Sequence, residues 1–178
     1  GQGVLGKIIM RFPRRFWPAD KQWLISLPPS PDQRGVFTSW ISLETIVGAP
    51  VLMAFTNGRA AAHFDRNASD DEVCAAAMGV LGRMFPGQAV PPERFVFTRW
   101  LTDPWALGSY SYPAVGSTPD DRVAYAEPVA GRVFFAGEAT QTVDFGTVHA
   151  ALRSGETAAR RLFRAHTGYE PVWQPPWV

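Results

Sequence analysis

The hydrophobic pattern in the first hundred residues predicts a β-sheet. Five apolar runs are rich in β-branched and aromatic residues, and clusters of Pro, Gly and Asp separate them. The runs lie at 4–12, 22–27, 36–43, 51–58 and 94–100. The first four follow one another closely, which is typical of a meander in which successive strands pair.

Helical periodicity and a final apolar run predict the rest of the secondary structure. Ser69 and Glu72 have the spacing of a capping box, so a helix should begin there and close near Pro86. The run "RVFFAG" (132–137) is continuously apolar, as in a strand covered on both faces. A second helix is predicted over 147–163, where apolar residues recur at Val148, Ala151, Leu152, Gly155, Ala159 and Leu162.

Composition excludes several classes of function. The 178 residues are 46% hydrophobic, and 17 Lys and Arg residues nearly balance 16 Asp and Glu residues. A net charge of +1 provides no field that attracts nucleic acid or an anionic membrane, and no apolar run is long enough to span a bilayer. We therefore expect no nucleic-acid partner, no membrane partner and no metal cluster. A single cysteine, Cys74, excludes an intrachain disulfide and leaves the compartment open, with the cytoplasm favoured.

The junction between the last predicted strand and helix has the features of a ligand site. Gly137 ends the run and permits close approach of a bulky group, which places Glu138 at the ligand edge of the sheet. Thr147 can cap the following helix, whose unpaired N–H groups favour a negative ligand atom. An ordinary strand-to-helix crossover with a polar loop has the same spacing, so the pattern alone leaves both interpretations open.

Four motifs, in order, resemble one enzyme family. "RVFFAGEAT" followed by "GTVHAALRSGETAARRL" resembles the C-terminal flavin-binding signature of the FAD-dependent amine oxidases. The same family pattern is visible earlier in "GVLGKIIMRFPRRFWP", "SDDEVCAAAMGVLGRMFPGQAVP" and "RWLTDPWALGSYSYPAVGS". The stretch "DPWALGSYSY" is more similar to the lysine-specific demethylase and polyamine oxidase branches than to the monoamine oxidases.

The resemblance covers residues 1 to about 165 and implies an α+β or α/β fold. Residues 1–118 would form part of a mixed-sheet substrate domain. Residues 119–165 would supply the last strand and helix of a Rossmann-like FAD-binding domain, and 166–178 an irregular tail.

The resemblance also implies roles for residues of the substrate domain. Lys7 matches the lysine that holds a water beside flavin N5, and Tyr110 matches an aromatic wall of the substrate cavity, so both are candidate catalytic residues. Trp100 and Trp105 match tryptophans close to the isoalloxazine ring. Judged singly, the lysine could snorkel from a strand, the tyrosine could anchor a loop and the tryptophans could pack in a core.

The remaining implied contacts concern the cofactor. Gly137 and Glu138 match the pair beside the ribityl and pyrophosphate groups of FAD, and Thr147 and Val148 match the helix start near flavin N1 and O2. A helix N-terminus there would stabilise the negative charge of the reduced ring. Ser109 occupies the position of the cysteine that bonds flavin in monoamine oxidases, so FAD should be noncovalent. Lys7 is expected across the ring from this helix start.

The family's dinucleotide-binding motif is not found in this sequence. No G-x-G-x-x-G follows a strand and opens a helix, and "GQGVLG" leads into a predicted strand instead. We therefore expect an N-terminal half, in cis or as a separate chain, to complete an oxidase acting on a small-molecule amine and oxygen. The alternative is a noncatalytic protein-interaction domain derived from the same fold.

Overall fold

A computed structural model describes residues 1–172, which divide into two compact units. Residues Gly3–Ser109 form the first, here called the sheet unit. Gly1–Gln2 together with the chain from Tyr110 onwards form the second, here called the C-terminal unit. Within residues 1–172, no helix combines the length and apolar character needed to cross a membrane.

The described chain has mixed α/β structure with antiparallel pairing. The strands are β1 (Gln2–Gly3), β2 (Leu5–Arg11), β3 (Trp23–Ile25), β4 (Ser39–Ser42), β5 (Val51–Asn57), β6 (Arg94–Phe97) and β7 (Tyr110–Ser111). The helices are α1 (Glu44–Val47), α2 (Gly58–Asn67), α3 (Asp70–Met84), α4 (Pro119–Tyr125) and α5 (Val148–Thr167). Short 3-10 turns occupy Pro31–Gln33 and Glu138–Thr140.

All five predicted strands of the sheet unit are confirmed. They form one antiparallel sheet in the order β3-β4-β5-β2-β6, while β1 and β7 pair separately. The predicted meander holds for β3, β4 and β5 only. Strand β2 lies between β5 and β6, so the earliest of the five strands is an interior strand, paired along both edges.

The sheet buries one face against two helices. Ile8, Met10, Trp40 and Leu52 are fully buried on that face, and Val73, Ala77, Val80 and Leu81 of α3 belong to the same core cluster. The indole of Trp40 donates a hydrogen bond to the carbonyl of Phe37 at 2.7 Å, so its polar atom is satisfied inside the core. Residues that alternate with this buried set therefore lie on the opposite face of the sheet.

The predicted capping box of α3 is confirmed. The Ser69 hydroxyl accepts from the Glu72 N–H at 3.3 Å, and a carboxylate oxygen of Glu72 accepts from the Ser69 N–H at 2.8 Å. Helix α2 was not predicted from the sequence. It begins at Gly58, whose φ of 57° turns the chain directly out of β5.

The prediction of a buried strand at 132–137 is wrong for the described chain. Its one ladder contact is an isolated bridge between Val129 and Val133, and the side chains of Val133 and Phe135 are 51% and 37% exposed. A strand exists only where a neighbour accepts and donates its hydrogen bonds, and no described segment pairs with residues 134–137.

The predicted final helix is confirmed as α5, which runs on to Thr167. Ala150 and Ser154 are buried, whereas Leu152, Leu162 and Phe163 are exposed, so much of the apolar face is uncovered in the C-terminal unit. Gly168 ends the helix in the left-handed conformation. The tail predicted at 166–178 thus starts inside α5, and residues 173–178 lie outside the described part of the chain.

Candidate functional site

Lys7 lies on the open face of the sheet. It alternates along β2 with Gly6 and Ile8, which are buried, and its ladder partner on β5 is Phe55. On the other side, the Lys7 N–H donates to the Thr98 hydroxyl at 2.9 Å, and the Thr98 N–H donates to the Lys7 carbonyl at 3.0 Å. Two hydrogen bonds to Thr98 therefore fix the lysine backbone, and its half-buried side chain extends from the open face of an interior strand.

An apolar surface surrounds that lysine. One row of paired residues crosses all five strands on the open face: Val96, Ile9, Met53, Ile41 and Trp23. In the adjacent row, the ring of Phe55 stacks on Trp23 with centroids 6.4 Å apart and planes at 16°. This face offers a wide apolar contact area that includes one primary amine, which suits a planar, mostly apolar ligand.

The two tryptophans predicted to contact a cofactor are held on a loop of the sheet unit. Trp100 is 44% exposed and Trp105 is 95% exposed, so neither belongs to the core. A carboxylate oxygen of Asp103 accepts from the N–H groups of Trp105 and Ala106 at 2.8 and 2.9 Å, which closes a tight turn at "DPW". The alternative that these indoles are core-packing residues is wrong, while contact with a cofactor stays a prediction.

Two residues that anchor this loop were missed in the sequence. Asp65, on α2, is buried and accepts hydrogen bonds from Leu101 and Thr102. The guanidinium of Arg99 donates to carbonyls at the end of α2. The sequence alone offered no signal for Asp65, because its burial beside Ala61 and Phe64, which is unusual for an acid, is seen only in the structure.

Ser109 and Tyr110 adjoin each other but belong to different units. The Ser109 hydroxyl accepts from the Leu5 N–H at 2.9 Å and donates to the Leu5 carbonyl at 2.9 Å. This hydroxyl acts as a ladder partner for the start of β2. Tyr110 begins β7, and its side chain is partly exposed.

Glu138 is the polar centre of the C-terminal unit. One carboxylate oxygen accepts from the Ser111 N–H at 2.6 Å, and the other accepts from the Ser111 hydroxyl at 2.7 Å and the Gly146 N–H at 2.6 Å. Burial would raise the pKa of this carboxyl. The hydrogen bonds from Ser111 and Gly146 and the positive charge of Arg122 outweigh burial and hold the Glu138 pKa below its ordinary value.

The turn that carries Glu138 depends on glycine. Gly137 has a φ of 140°, a backbone conformation that L side chains rarely adopt. Its N–H donates to the Ser154 hydroxyl at 2.7 Å, which ties the turn to a buried position on α5. Arg122 supports the same turn, because its guanidinium donates to the Ala139 carbonyl at 3.0 Å and to the Ser111 hydroxyl at 2.8 Å.

The predicted cap of α5 is confirmed. The Thr147 hydroxyl accepts from the Ala150 N–H at 3.2 Å and donates to the Asp144 carbonyl at 2.5 Å. The amides of Val148 and His149 have no acceptor within the helix, as is general for a first turn. With the Val148 side chain 87% exposed, this end of α5 can offer N–H groups and a positive dipole end to a ligand atom.

A cleft of about 360 Å³ opens elsewhere in the C-terminal unit. Tyr112, Tyr125 and Phe145 are among the residues that line it, and Arg122 lies over the Phe145 ring at 3.9 Å from the centroid. None of the predicted site residues lines this cleft. The structure thus places Lys7, Trp100 and Trp105 in the sheet unit. It places Tyr110, Gly137, Glu138, Thr147 and Val148 in the C-terminal unit.

Comparison with known proteins gives a consistent family. The model of the flavin containing amine oxidoreductases matches residues 1–163. Lysine-specific histone demethylase 1 homolog 3 of Oryza sativa subsp. indica is 42% identical over 165 residues, which cover 91% of this chain and 20% of that protein. Lysine-specific histone demethylase 2 of Homo sapiens is 36% identical over 166 residues, again 91% of this chain and 20% of that protein. The chain therefore spans 20% of the length of these relatives.

Proposed function

The chain belongs to the flavin containing amine oxidoreductase family, and on this premise we propose that it is the C-terminal portion of an FAD-dependent amine oxidase. The observation that carries the proposal is the position of Lys7 on the open, apolar face of the sheet, on an interior strand, in a chain matched by the family over residues 1–163. Bound FAD would supply the hydride acceptor.

The proposed reaction oxidises a C–N bond. The α-carbon of a neutral amine loses a hydride, the nitrogen loses a proton, and the resulting imine is hydrolysed to an aldehyde and an amine or ammonia. Oxygen takes the two electrons and two protons as hydrogen peroxide. The apolar sheet face favours the uncharged amine, because burial of an unpaired ammonium costs free energy.

The sheet unit would contribute the catalytic face. We assign Lys7 to hold a water beside the reacting position of the ring, since its backbone is fixed by Thr98 and its side chain extends from the open face. Trp100 and Trp105 would contact the ring from a loop that keeps them out of the core. Tyr110, which begins β7 in the C-terminal unit, is assigned to an aromatic wall of the substrate cavity.

The C-terminal unit would contribute cofactor contacts. The first-turn amides at Thr147 and Val148 are suited to a ring position where negative charge develops on reduction. Gly137 permits close approach at the turn, because it has no side chain and the space beside it is open. Glu138 uses three of its roughly four lone-pair sites within the protein, so one remains for a ribityl hydroxyl.

We propose that FAD is bound noncovalently. The position occupied by cysteine in covalent members of the family is Ser109 here, and a hydroxyl is a weak nucleophile without an adjacent base. Both hydrogen-bonding functions of this hydroxyl are already used by the backbone of Leu5. Ser109 therefore supports β2 and leaves the cofactor extractable.

We propose that an N-terminal half pairs with the unpaired segment of the C-terminal unit and covers the exposed apolar face of α5. Residues 134–137 lack a ladder partner in the described chain, and Leu152 and Leu162 are exposed on α5. A Rossmann-like FAD domain would supply both a parallel strand for the first and an apolar surface for the second. That half could be joined in cis or be a separate chain.

The test is flavin content and amine turnover of the full-length protein or of the complex with its N-terminal half. We expect a yellow protein whose flavin is released by denaturation, and peroxide release with at least one member of an amine panel. The panel contains monoamines, polyamines and an N-methylated lysine peptide, since the relatives are named as histone demethylases. A colourless, well-folded protein that ignores added FAD would instead indicate the noncatalytic interaction domain.

A further inference from the structure

We propose that Asp65 is a positioning residue that fixes the backbone around Trp100 and thereby sets how this indole meets the flavin. The inference rests on the proposed function, because contact between Trp100 and a flavin is itself part of that proposal. Asp65 lies on α2, outside the quoted family motifs and just before the one that begins at Ser69, and it is buried at 5% exposure in the sheet unit.

The carboxylate of Asp65 binds the two residues that follow Trp100. One oxygen accepts from the Leu101 N–H at 3.0 Å. The other accepts from the Thr102 N–H at 3.0 Å and from the Thr102 hydroxyl at 2.7 Å. Three donors from two consecutive residues fix both the position and the orientation of this backbone, because each carboxylate oxygen has its own partner.

Arg99 fixes the residue before Trp100. One terminal nitrogen of its guanidinium donates to the carbonyls of Phe64 and Asp65 at 2.8 Å each. The other donates to the Ala68 carbonyl at 2.9 Å and to an Asp70 carboxylate oxygen at 2.5 Å. The guanidinium therefore provides hydrogen-bond donors to carbonyls at the C-terminus of α2 that have no partner within the helix. A positive charge is also favoured at this end of a helix.

Trp100 is thus held through its neighbours. Its side chain is 44% exposed, so packing in the core of the sheet unit does not restrict the indole. Backbone direction then decides where the ring points, and the backbone is anchored on α2 both before and after this residue. Loss of one anchor would change the ring position without removing any group that touches the reacting atoms.

An amide cannot replace the carboxylate here. All three groups that face Asp65 are donors, and an asparagine has one acceptor oxygen together with an NH2 group that is itself a donor. Asp65→Asn would leave a buried N–H opposite another N–H, so the loop must move away. Thr102→Val is milder, since it removes one hydroxyl donor and leaves both backbone bonds in place.

The experiment uses the full-length, flavin-loaded enzyme with Asp65→Asn, Thr102→Val and Trp100→Ala. Asp71→Asn, an exposed acid in the first turn of α3, is the matched control. The measurements, made well below each melting temperature, are the flavin absorption spectrum and the anaerobic rate of flavin reduction at saturating amine. We expect Asp65→Asn to shift the spectrum and slow reduction by about 10- to 100-fold, as misplacement of a contacting group does, with little change in KM.

A double variant separates positioning from general destabilisation. If Asp65 acts through Trp100, Asp65→Asn combined with Trp100→Ala is no slower than Trp100→Ala alone. Thr102→Val should give a smaller change of the same kind, and Asp71→Asn none. Should Asp65→Asn fail to fold, the same comparison with Thr102→Val decides the question.

Two outcomes would overturn this inference and leave the proposed function intact. One is an Asp65 or Thr102 variant with a lower melting temperature but wild-type spectrum and reduction rate. The other is full additivity with Trp100→Ala. A wild-type protein that binds no flavin would overturn the proposed function first, and the inference with it, so the two failures are distinguishable.

Discussion

Glu138→Gln separates two roles of one side chain, because glutamine keeps the size of glutamate and removes its charge. In the structure, the carboxylate joins Ser111 on β7 to Gly146 in the loop before α5. Under the proposed function, the same residue would also contact FAD. A variant studied without flavin therefore reports on the first role alone.

The hydrogen bonds give the expected magnitude. Bonds to a charged acceptor contribute roughly 1.5–3 kcal/mol each and neutral ones roughly 0.5–1.5 kcal/mol. Glutamine can keep the two bonds made by one oxygen, from the Ser111 hydroxyl and the Gly146 N–H, but its NH2 group then faces the Ser111 N–H. One bond is lost and two are weakened, and solvent screening of this half-buried group reduces the total to about 2 kcal/mol.

The pH dependence has a definite sign. The folded-state pKa of Glu138 is held below its ordinary value, which for an unfolded chain is about 4.3. The contribution of this carboxylate to stability is therefore fully present above that ordinary value. It is lost as the pH falls through the lower, folded-state pKa. In Glu138→Gln, this part of the pH dependence of folding stability should disappear.

Hydrogen exchange and urea unfolding provide the assay. We expect the amides of Ser111 and Gly146 to exchange faster in flavin-free Glu138→Gln, and the helical signal of α5 to be lost at lower urea. Glu156→Gln, the same chemical change on α5, should leave both measurements unchanged. Wild-type exchange at Ser111 and Gly146 in the flavin-free variant would refute the view that Glu138 organises this unit.

Three further predictions concern the sheet unit. Lys7→Met should retain flavin but slow its reduction or reoxidation by tenfold or more in stopped-flow measurements, a loss of about 1.4 kcal/mol or more; unchanged turnover would remove Lys7 from the mechanism. Ser69→Ala removes the acceptor of the Glu72 N–H and should lower the free energy of unfolding by about 1 kcal/mol in urea, whereas an unchanged midpoint would show that the cap contributes nothing. Leu81→Ala opens a cavity at a fully buried position and should cost about 2–5 kcal/mol in the same assay; a loss below that range would mean that the core collapses around the gap.

Local signals predicted elements whose determinants are close in sequence. The capping box of α3 needs only Ser69 and Glu72, three residues apart, and the cap of α5 needs only Thr147 and Ala150. The strands of the sheet unit were predictable for a similar reason, since each is a short run rich in β-branched and aromatic residues bounded by turn residues. Strand order was harder, because the pattern of β2 does not state which strands lie beside it.

Elements that depend on remote partners were not predictable. The run at 132–137 has the composition of a buried strand, yet burial and pairing require a neighbouring strand, which composition does not encode. Helix α2 was missed for the opposite reason. Its sequence "GRAAAHFDRN" contains one large apolar side chain, Phe64, and the packing of Ala61 and Phe64 in the sheet unit stabilises it.

The residues of the candidate site show the same contrast between local and remote determinants. Lys7 became a candidate because it matches a family motif, and its role stays a prediction. Asp65 was not found, because its partners Leu101 and Thr102 are 36 and 37 positions away. Residues that touch a ligand leave a local motif, whereas residues that hold such a motif in place are visible only in three dimensions.

The uncovered segment at 132–137 has a practical consequence for handling the protein. A short, β-prone stretch that contains "VFFA", and in which residues 134–137 have no ladder partner in the described chain, is a template for pairing with another copy of itself. Produced without the N-terminal half that we propose to cover it, the polypeptide should form insoluble assemblies that grow with concentration. Simultaneous production with the covering half, or a lysine placed in the stretch, should keep it in solution.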